Sequence, residues 1–410
     1  MNIYLVGGAV RDQLLGLPVK ERDWVVVGAN PEAMISAGYQ QVGKNFPVFL
    51  HPKSKEEHAL ARTEKKTSPG YTGFDVYAGE DVTLEEDLLR RDLTINAMAK
   101  MPDGSLVDPY GGAADIKAKT IRHVSDAFRE DPLRVLRVAR FAARFKHLGF
   151  SVAPETMELM RLITKSGELG SLTPERVWVE TEKALQTDNP DYYFELLRSC
   201  NALSVLFPEV DCLFGVPQPP RWHPEIDTGL HTLLTLQQAA LLSSDPATRF
   251  AALTHDLGKG TTPEAEWPTH NGHEARGAHL IKQLCERLAI PNRYRELATL
   301  VAKEHLRVHR ALELRPATAL KLLETVDAFR KPERFAELLL ACEADMRGRT
   351  GLEAVPYPQA DYLQEIHSVT AAISANNVDA KYQGKAIGER IRDLRTCAIE
   401  DLKATRQIHR

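Results

Sequence analysis

The stretch IYLVGGAVRDQLLGLPVKERDWVVVG, residues 3–28, decides how the chain is built. IYLV and WVVVG are short, apolar and β-branched, as buried strands are. Between them Gly7 and Gly8 open a segment of helical period that carries Arg11, so the order reads strand, glycine pair, helix, strand. Glycines let the backbone turn tightly and expose its amides, and a helix start beside an arginine suits phosphate. Glu21 and Asp23 stand at the mouth of the second strand. Alternate side chains of a strand share a face, so the two acids are expected to aim the same way, with Arg22 on the opposite side. KERD also reads as an ordinary charged turn before a strand. The glycine turn favours the metal reading: two carboxylates would hold magnesium, magnesium would bridge a triphosphate, and amides at the helix start, Gly8 among them, would hold the outer phosphates together with Arg11.

The whole chain bounds the answer. Its 410 residues, 43% of them hydrophobic, are enough for about two to four packed domains. No apolar run approaches the roughly 18 residues that a membrane helix requires, and the first residues reach glycine and charge too early for a signal peptide. A soluble, cytoplasmic protein with no membrane partner is expected. The cysteines at 200, 212, 285, 342 and 397 form no CxxC pair, which argues against a disulfide framework or a thiolate zinc site. A formal net charge of -4 means that any polyanion site must be a local basic surface.

Up to about residue 110 strand-like runs (IYLV, WVVVG, EHALART, GSLVD) alternate with helical stretches, and the remainder is mostly helical in period. The expected fold class is an α/β head followed by all-α domains. The boundaries read as a head over 1–115, a helical region over 116–215, a second helical domain over 225–347 and a helical tail over 360–410. FPEVDCLFGVPQPPRWHPE, residues 207–225, reads as a linker, GRTGLEAVPYPQAD, 348–361, as a second break, and AKYQGKAIGERIRDLRTCAIEDLKATRQ, 380–407, as a terminal pair of surface helices.

Two further segments of the first half carry chemistry. In RRDLTINAMA, residues 90–99, Asp92 is placed to cap a helix running through Thr94, Asn96 and Met98, beside Arg90 and Arg91. In EDPLRVLRVARFAARF, residues 130–145, Asp131 and Pro132 make an N-cap and first-turn pair, and Arg134, Arg137, Arg140 and Arg144 recur at three, three and four. Such a stripe is commonly a solvated face. Asp131 and Arg134, however, stand at i and i+3, where they can act together on one planar group. Cytosine and adenine each present an amino donor beside an unprotonated ring nitrogen, whereas guanine and uracil present a carbonyl beside an N–H. An Asp acceptor next to an Arg donor therefore pairs with C and A and mismatches G and U, at ~1 to 3 kcal/mol per mismatched group.

The second half holds another constellation. GLHTLLTL carries His231, RFAALTHDLGKG carries His255 and Asp256 at a helix end, and His273, His305 and Asp345 follow on later helical segments. A lone histidine on an amphipathic helix is commonly a packing residue; the order His, His-Asp, Asp resembles the HD phosphohydrolase superfamily, and that resemblance implies metal. Imidazole with carboxylate suits zinc, nickel, cobalt or manganese.

VGGAVRD, the acidic pair before WVVVG, RRDLTINAMA and EDPLRVLRVARFAARF together resemble the bacterial, class II type of tRNA nucleotidyltransferase, the CCA-adding enzymes. The later segment is similar to the HD phosphohydrolases that a subgroup of these enzymes carries. The resemblance implies a DNA polymerase β-like head, then helical neck, body and tail, with tRNA, CTP and ATP as partners and a monomer or weak homo-oligomer as the assembly. It implies Mg²⁺ on Glu21 and Asp23, Arg91 on the bound nucleotide, Asp131 and Arg134 as the protein template, and Arg137 and Arg140 facing triphosphate or base. Glu21 stands where many members have Asp, which preserves charge and lengthens the reach. Glu64 is the candidate third carboxylate. For the HD segment it implies His231, His255, Asp256 and Asp345 around one or two ions, nickel first, with phosphatase, 2′-nucleotidase and 2′,3′-cyclic phosphodiesterase activity. The alternatives are a bacterial poly(A) polymerase, which shares the head, a non-catalytic RNA-binding HD protein, and a pure metal phosphohydrolase.

Overall fold

The computed structural model describes residues 1–42, 48–66 and 74–408 and divides into two compact units. Unit one comprises Met1–Ala184 with Tyr192–Leu206, and unit two comprises Leu185–Asp191 with Phe207–Arg410. Among the described residues no helix is long and apolar enough to cross a membrane.

Unit one opens as an α/β head. Its strands are β1 (Asn2–Val6), β2 (Asp23–Val27), β3 (Gln40–Val42), β4 (Val48–Leu50), β5 (Glu57–Leu60), β6 (Thr63–Lys66), β7 (Phe74–Tyr77), β8 (Ala99–Lys100) and β9 (Leu106–Val107). Seven of them form one sheet in the order β3-β4-β5-β2-β1-β8-β9, while β6 and β7 pair separately. Among the described residues of that sheet, only β2 and β5 run parallel. Val25 and Val6 pack on one face, against Leu88 and Ala97, and Val26 packs on the other, against Met34 and Phe49. This two-sided burial is why the central strands are continuous β-branched runs. Helix Leu133–Phe145 follows, burying Val135, Leu136, Val138 and Ala142, and helices Pro154–Lys165, Pro174–Leu185 and Pro190–Ser199 complete the helical part.

Unit two is helical. Prolines begin Pro246–Thr254, Pro316–Thr325, Pro332–Arg347 and Pro358–Ala371, where a missing N–H costs nothing. Asp227 and Asp245 accept the first free amides of Thr228–Leu242 and Pro246–Thr254.

Four local expectations are corrected. RRDLTINAMA is not a helix: it makes one 3-10 turn, Thr94–Asn96, and then enters β8. Thr94 Oγ1 donates to Asp115 Oδ2 at 2.7 Å and its N–H to the Arg122 carbonyl at 2.9 Å, contacts that a helix would deny it. The 207–225 stretch is not a free linker, because Phe207, Val210, Leu213 and Val216 are buried. The terminal pair is one helix, Lys385–Ile408; Gly388 has open space around it, so nothing forces a break there. The expected alternation at KERD also fails, since β2 starts only at Asp23 and Glu21, Arg22 and Asp23 all line one trough.

Candidate functional sites

The register of β1 and β2 sets Val6 across from Asp23, so the strand mouth and the glycine turn meet at the same edge. Gly7 has φ 67° and ψ −129°, a region that L side chains avoid. A Cβ there would also sit 3.0 Å from Arg91 Nη1. Asp23 and Glu21 share the trough, and their coupling is electrostatic as well: burial raises the Asp23 carboxyl, Arg91 opposes that rise and Glu21 adds to it. Arg22 instead lies 3.6 Å from Glu56. The side chain of Glu64 lies outside the described residues.

On the other side of Asp23 opens a cavity of about 560 Å³ whose wall includes nine arginines. Gly8, Arg11, Arg91, Asp131, Arg134, Arg137 and Arg140, singled out in the sequence, all border it. Most of these cations are held in place from behind. Asp87, fully buried, binds Arg90 at 2.6 Å and Arg91 at 3.0 Å. Arg11 contacts Asp12 at 2.8 Å and lies 5.1 Å from the ring centroids of both Phe141 and Phe145. Asp92 binds Arg137 at 2.7 Å; burial alone would raise its carboxyl, but Arg137 and Asn96 hold it far below the usual carboxylate range. Glu180 takes Arg140, and Asp12 also takes Arg144 at 3.0 Å. The stripe of helix Leu133–Phe145 thus lines a cavity, with Arg134 buried and Arg137, Arg140 and Arg144 partly exposed to it. Asp87 finds its arginines three and four residues on, whereas Asp92 and Glu180 meet Arg137 and Arg140 from 45 and 40 positions away, pairings that nothing local marked.

Asp131 and Arg134 lie where the cap reading and the base-reading idea overlap. Asp131 Oδ1 accepts the Leu133 N–H at 3.1 Å, and its Oδ2 binds Arg176 at 2.8 Å. Arg134 donates to the Ala127 carbonyl at 2.9 Å and to the Arg90 carbonyl at 2.6 Å. Both side chains are fixed by neighbours while bordering the cavity.

Unit two gathers a second cluster. Helix Pro246–Thr254 ends with His255 at its C-cap, and Asp256 follows. A Cβ on Gly258 would collide with the backbone of His273 and Gly277, so that glycine allows the HDLGKG loop to lie against helix His273–Arg287. Among the described residues three triads of ligand atoms result: His231, His255 and Asp345, beside them Asp256, His273 and His305, and, sharing His231, the trio His223, Glu225 and His231. His255, His273 and His305 each set Nδ1 within 3.1 Å of a backbone carbonyl, which can only accept. Their Nε2 lone pairs are therefore left for the cluster. His255 Nε2, Asp256 Oδ1 and His273 Nε2 are buried without hydrogen-bond partners, as in a site made for an ion. Burial would lower the His255 imidazole, but Asp256 and Asp345 push it up to about 9, whereas burial takes His305 down to about 3. Lys259 Nζ reaches Asp256 Oδ2 at 2.6 Å, and His309 Nε2 reaches Asp345 Oδ2 at 2.7 Å. Lys259, three residues after Asp256, was findable in HDLGKG; His309, His223 and Glu225 carried no such signal.

Family models match as the poly A polymerase head domain over residues 3–122, as a probable RNA and SrmB-binding site of polymerase A over 149–213, and as the HD domain over 228–345. Among solved structures, the Thermotoga maritima CCA-adding enzyme complexed with tRNA has 21% identity and a TM-score of 0.63, covering 98% of this chain and 91% of its own. The Bacillus stearothermophilus CCA-adding enzyme in complex with CTP has 23% identity and a TM-score of 0.62, covering 97% and 89%. These show the shared fold. The multifunctional CCA protein of Thioalkalivibrio sulfidiphilus (strain HL-EbGR7) is 64% identical over 405 residues, 98% of this chain and 99% of that protein. With that identity over nearly its full length, the chain belongs to the CCA-adding family, in the branch of multifunctional CCA proteins that join a poly(A)-polymerase-type head to an HD domain.

Proposed function

We propose that this chain adds C, C and A to the 3′ end of tRNA from CTP and ATP without a nucleic-acid template. The observation that carries this reading is one cavity bounded by Asp23, the Gly7–Gly8 turn, Asp131 and Arg134. Family membership supports it. Glu21 and Asp23, hard carboxylate donors, would hold Mg²⁺, which when bound neutralises the triphosphate and favours ionisation of the attacking 3′-hydroxyl. The amide at Gly8 and the guanidiniums of Arg11 and Arg91 bind the phosphates. The hydroxyl oxygen forms its bond to the α-phosphorus as pyrophosphate leaves. Asp131 accepts from the exocyclic amino group of C or A, and Arg134 donates to the adjacent ring nitrogen. Arg137 and Arg140, tethered by Asp92 and Glu180, face triphosphate or base. Residues 1–115 act as head, 116–215 as neck, 225–347 as HD domain and 360–410 as tail, in a cytoplasmic monomer or weak homo-oligomer.

The cluster in unit two is read as a metal-dependent phosphohydrolase centre. His231, His255, Asp256 and Asp345 would hold a transition ion, and the resemblance favours Ni²⁺. When bound it supplies a water activated at neutral pH. The substrates are small phosphomonoesters, 2′-nucleotides and 2′,3′-cyclic phosphates, with Lys259 adding positive charge beside Asp256.

The decisive assay offers tRNA lacking its 3′ end, Mg²⁺ and each nucleotide alone or together. Two C residues and then one A are expected. Runs of A without C would instead assign a poly(A) polymerase.

A further inference from the structure

The 207–225 stretch returns on itself. Pro217 bridges to Asp227, the Gln218 N–H donates to the Ile226 carbonyl at 2.7 Å, and the Ile226 N–H donates to the His223 carbonyl at 3.0 Å. Ile226 is held at φ 61°, a left-handed backbone that a β-branched residue adopts only under constraint. Its own side chain is 46% exposed, so packing of that side chain does not explain the strain. The bend instead delivers the preceding residue: the Glu225 side chain is only 4% exposed and lies against His231, which is fully buried.

Every oxygen of that carboxylate is engaged. Glu225 Oε1 lies 3.0 Å from His231 Nδ1 and 3.1 Å from His223 Nδ1, and its Oε2 accepts the Thr350 N–H at 3.3 Å. On the far side of the His231 ring, Nε2 lies 3.0 Å from Asp345 Oδ1. A neutral imidazole has one N–H and one lone pair. With the N–H directed at Glu225, the lone pair faces Asp345 and an ion can take the place between them. With the N–H directed at Asp345, Nε2 is hydrogen-bonded there and cannot ligate, and Nδ1 is left buried without a hydrogen-bond partner beside Glu225. When an ion takes the Nε2 lone pair the N–H must sit on Nδ1, where Glu225 is the neighbouring acceptor, so Glu225 favours the ring form that can ligate.

We propose that Glu225 is a positioning residue of the HD centre: carried inward by the loop Pro217–Asp227, it holds His231 with Nε2 toward Asp345 and so sets the affinity of that centre for a transition ion. The inference rests on reading the cluster as a metal centre, and the test separates the two.

Full-length protein is stripped of metal and titrated with Co²⁺, following heat by calorimetry and the ligand-field absorption bands, while circular dichroism monitors folding. His255→Ala defines binding that does not belong to the cluster. Glu225→Ala is expected to weaken the remainder by ~10 to 100-fold and alter the bands. Glu225→Gln keeps an acceptor for the His231 N–H without the charge, and should fall between wild type and Ala. His223→Ala leaves the Glu225–His231 contact and should change affinity by less than either. Wild-type affinity and bands in Glu225→Gln and Glu225→Ala would overturn the role of Glu225 while leaving the metal centre. A His223→Ala loss equal to that of Glu225→Ala would assign the effect to loop integrity and also overturn it. Should wild type and His255→Ala bind Co²⁺ alike, the metal centre itself falls, and the inference with it.

Discussion

Val6 and Asp23 face each other across the first two strands, and this register joins the glycine turn to the acid proposed to hold the metal. One residue beyond Val6 the chain turns through Gly7, whose N–H donates to the Met98 carbonyl at 3.2 Å. That antiparallel pairing brings residues 7 and 23 together, and Arg91, held by Asp87, joins them on one wall.

Gly7→Ala tests that wall. The substitution forces Ala into φ 67° and sets its Cβ 3.0 Å from Arg91 Nη1. A loss of ~1 to 3 kcal/mol in stability is expected from the backbone alone. Displacement of Arg91 should raise KM for both CTP and ATP about tenfold, equivalent to ~1.4 kcal/mol. Normal KM values in a variant with a lowered Tm would separate Arg91 from phosphate binding.

Asp131→Ala and Arg176→Ala divide base reading from capping. Asp131 both caps Leu133 and pairs with Arg176, so its loss should cost ~1 kcal/mol and also admit U or G while slowing C and A. Arg176→Ala removes the tether but keeps the acceptor; it should slow both correct nucleotides while C and A remain preferred. Primer-extension rates with each nucleotide decide, and an unchanged preference in Asp131→Ala would leave it as a cap alone.

His255→Ala should eliminate hydrolysis of 2′,3′-cyclic phosphates with Ni²⁺ or Co²⁺, yet leave C and A addition with Mg²⁺ within a few-fold of wild type. Imidazole donors suit the first group of ions and carboxylates the second. Both rates are measured on one preparation. Joint loss in a folded variant would mean that the cluster serves architecture or tRNA.

Asp92 makes acid stability a probe of the cavity. Its folded pKa is depressed, so its contribution is complete above the ordinary carboxylate range, near pH ~4, and is lost as pH falls toward the folded value. Asp92→Asn should cost about 2 to 3 kcal/mol at neutral pH, below the ~3 to 5 of a fully buried pair, because the Arg137 side chain is 35% exposed and Glu180 remains 3.8 Å away. It should also flatten the acid limb of the denaturation curve below pH ~4. A wild-type acid limb in the variant would show that Arg137 does not depend on Asp92.

What the sequence determined by itself is what neighbouring residues decide. Strand, glycine turn and helix over 3–28, the Asp131–Pro132 start of a helix, and the proline-led helices of the second half all follow from local sterics and caps. Site residues were legible where several types recur within a few positions, as in EDPLR and HDLGKG. The tertiary structure decided the rest, because the deciding partners are distant. Thr94 and Asn96 leave the helix that their segment promises for Asp115 and Arg11. Leu213 and Val216 look like loop residues until helices of unit two bury them. Arg137 and Asp92 are 45 positions apart, and His231 and Asp345 are 114 apart. These last two contacts depend on a carboxylate and a cation or ring drawn out of water together, and only the packed fold supplies that low-dielectric meeting place.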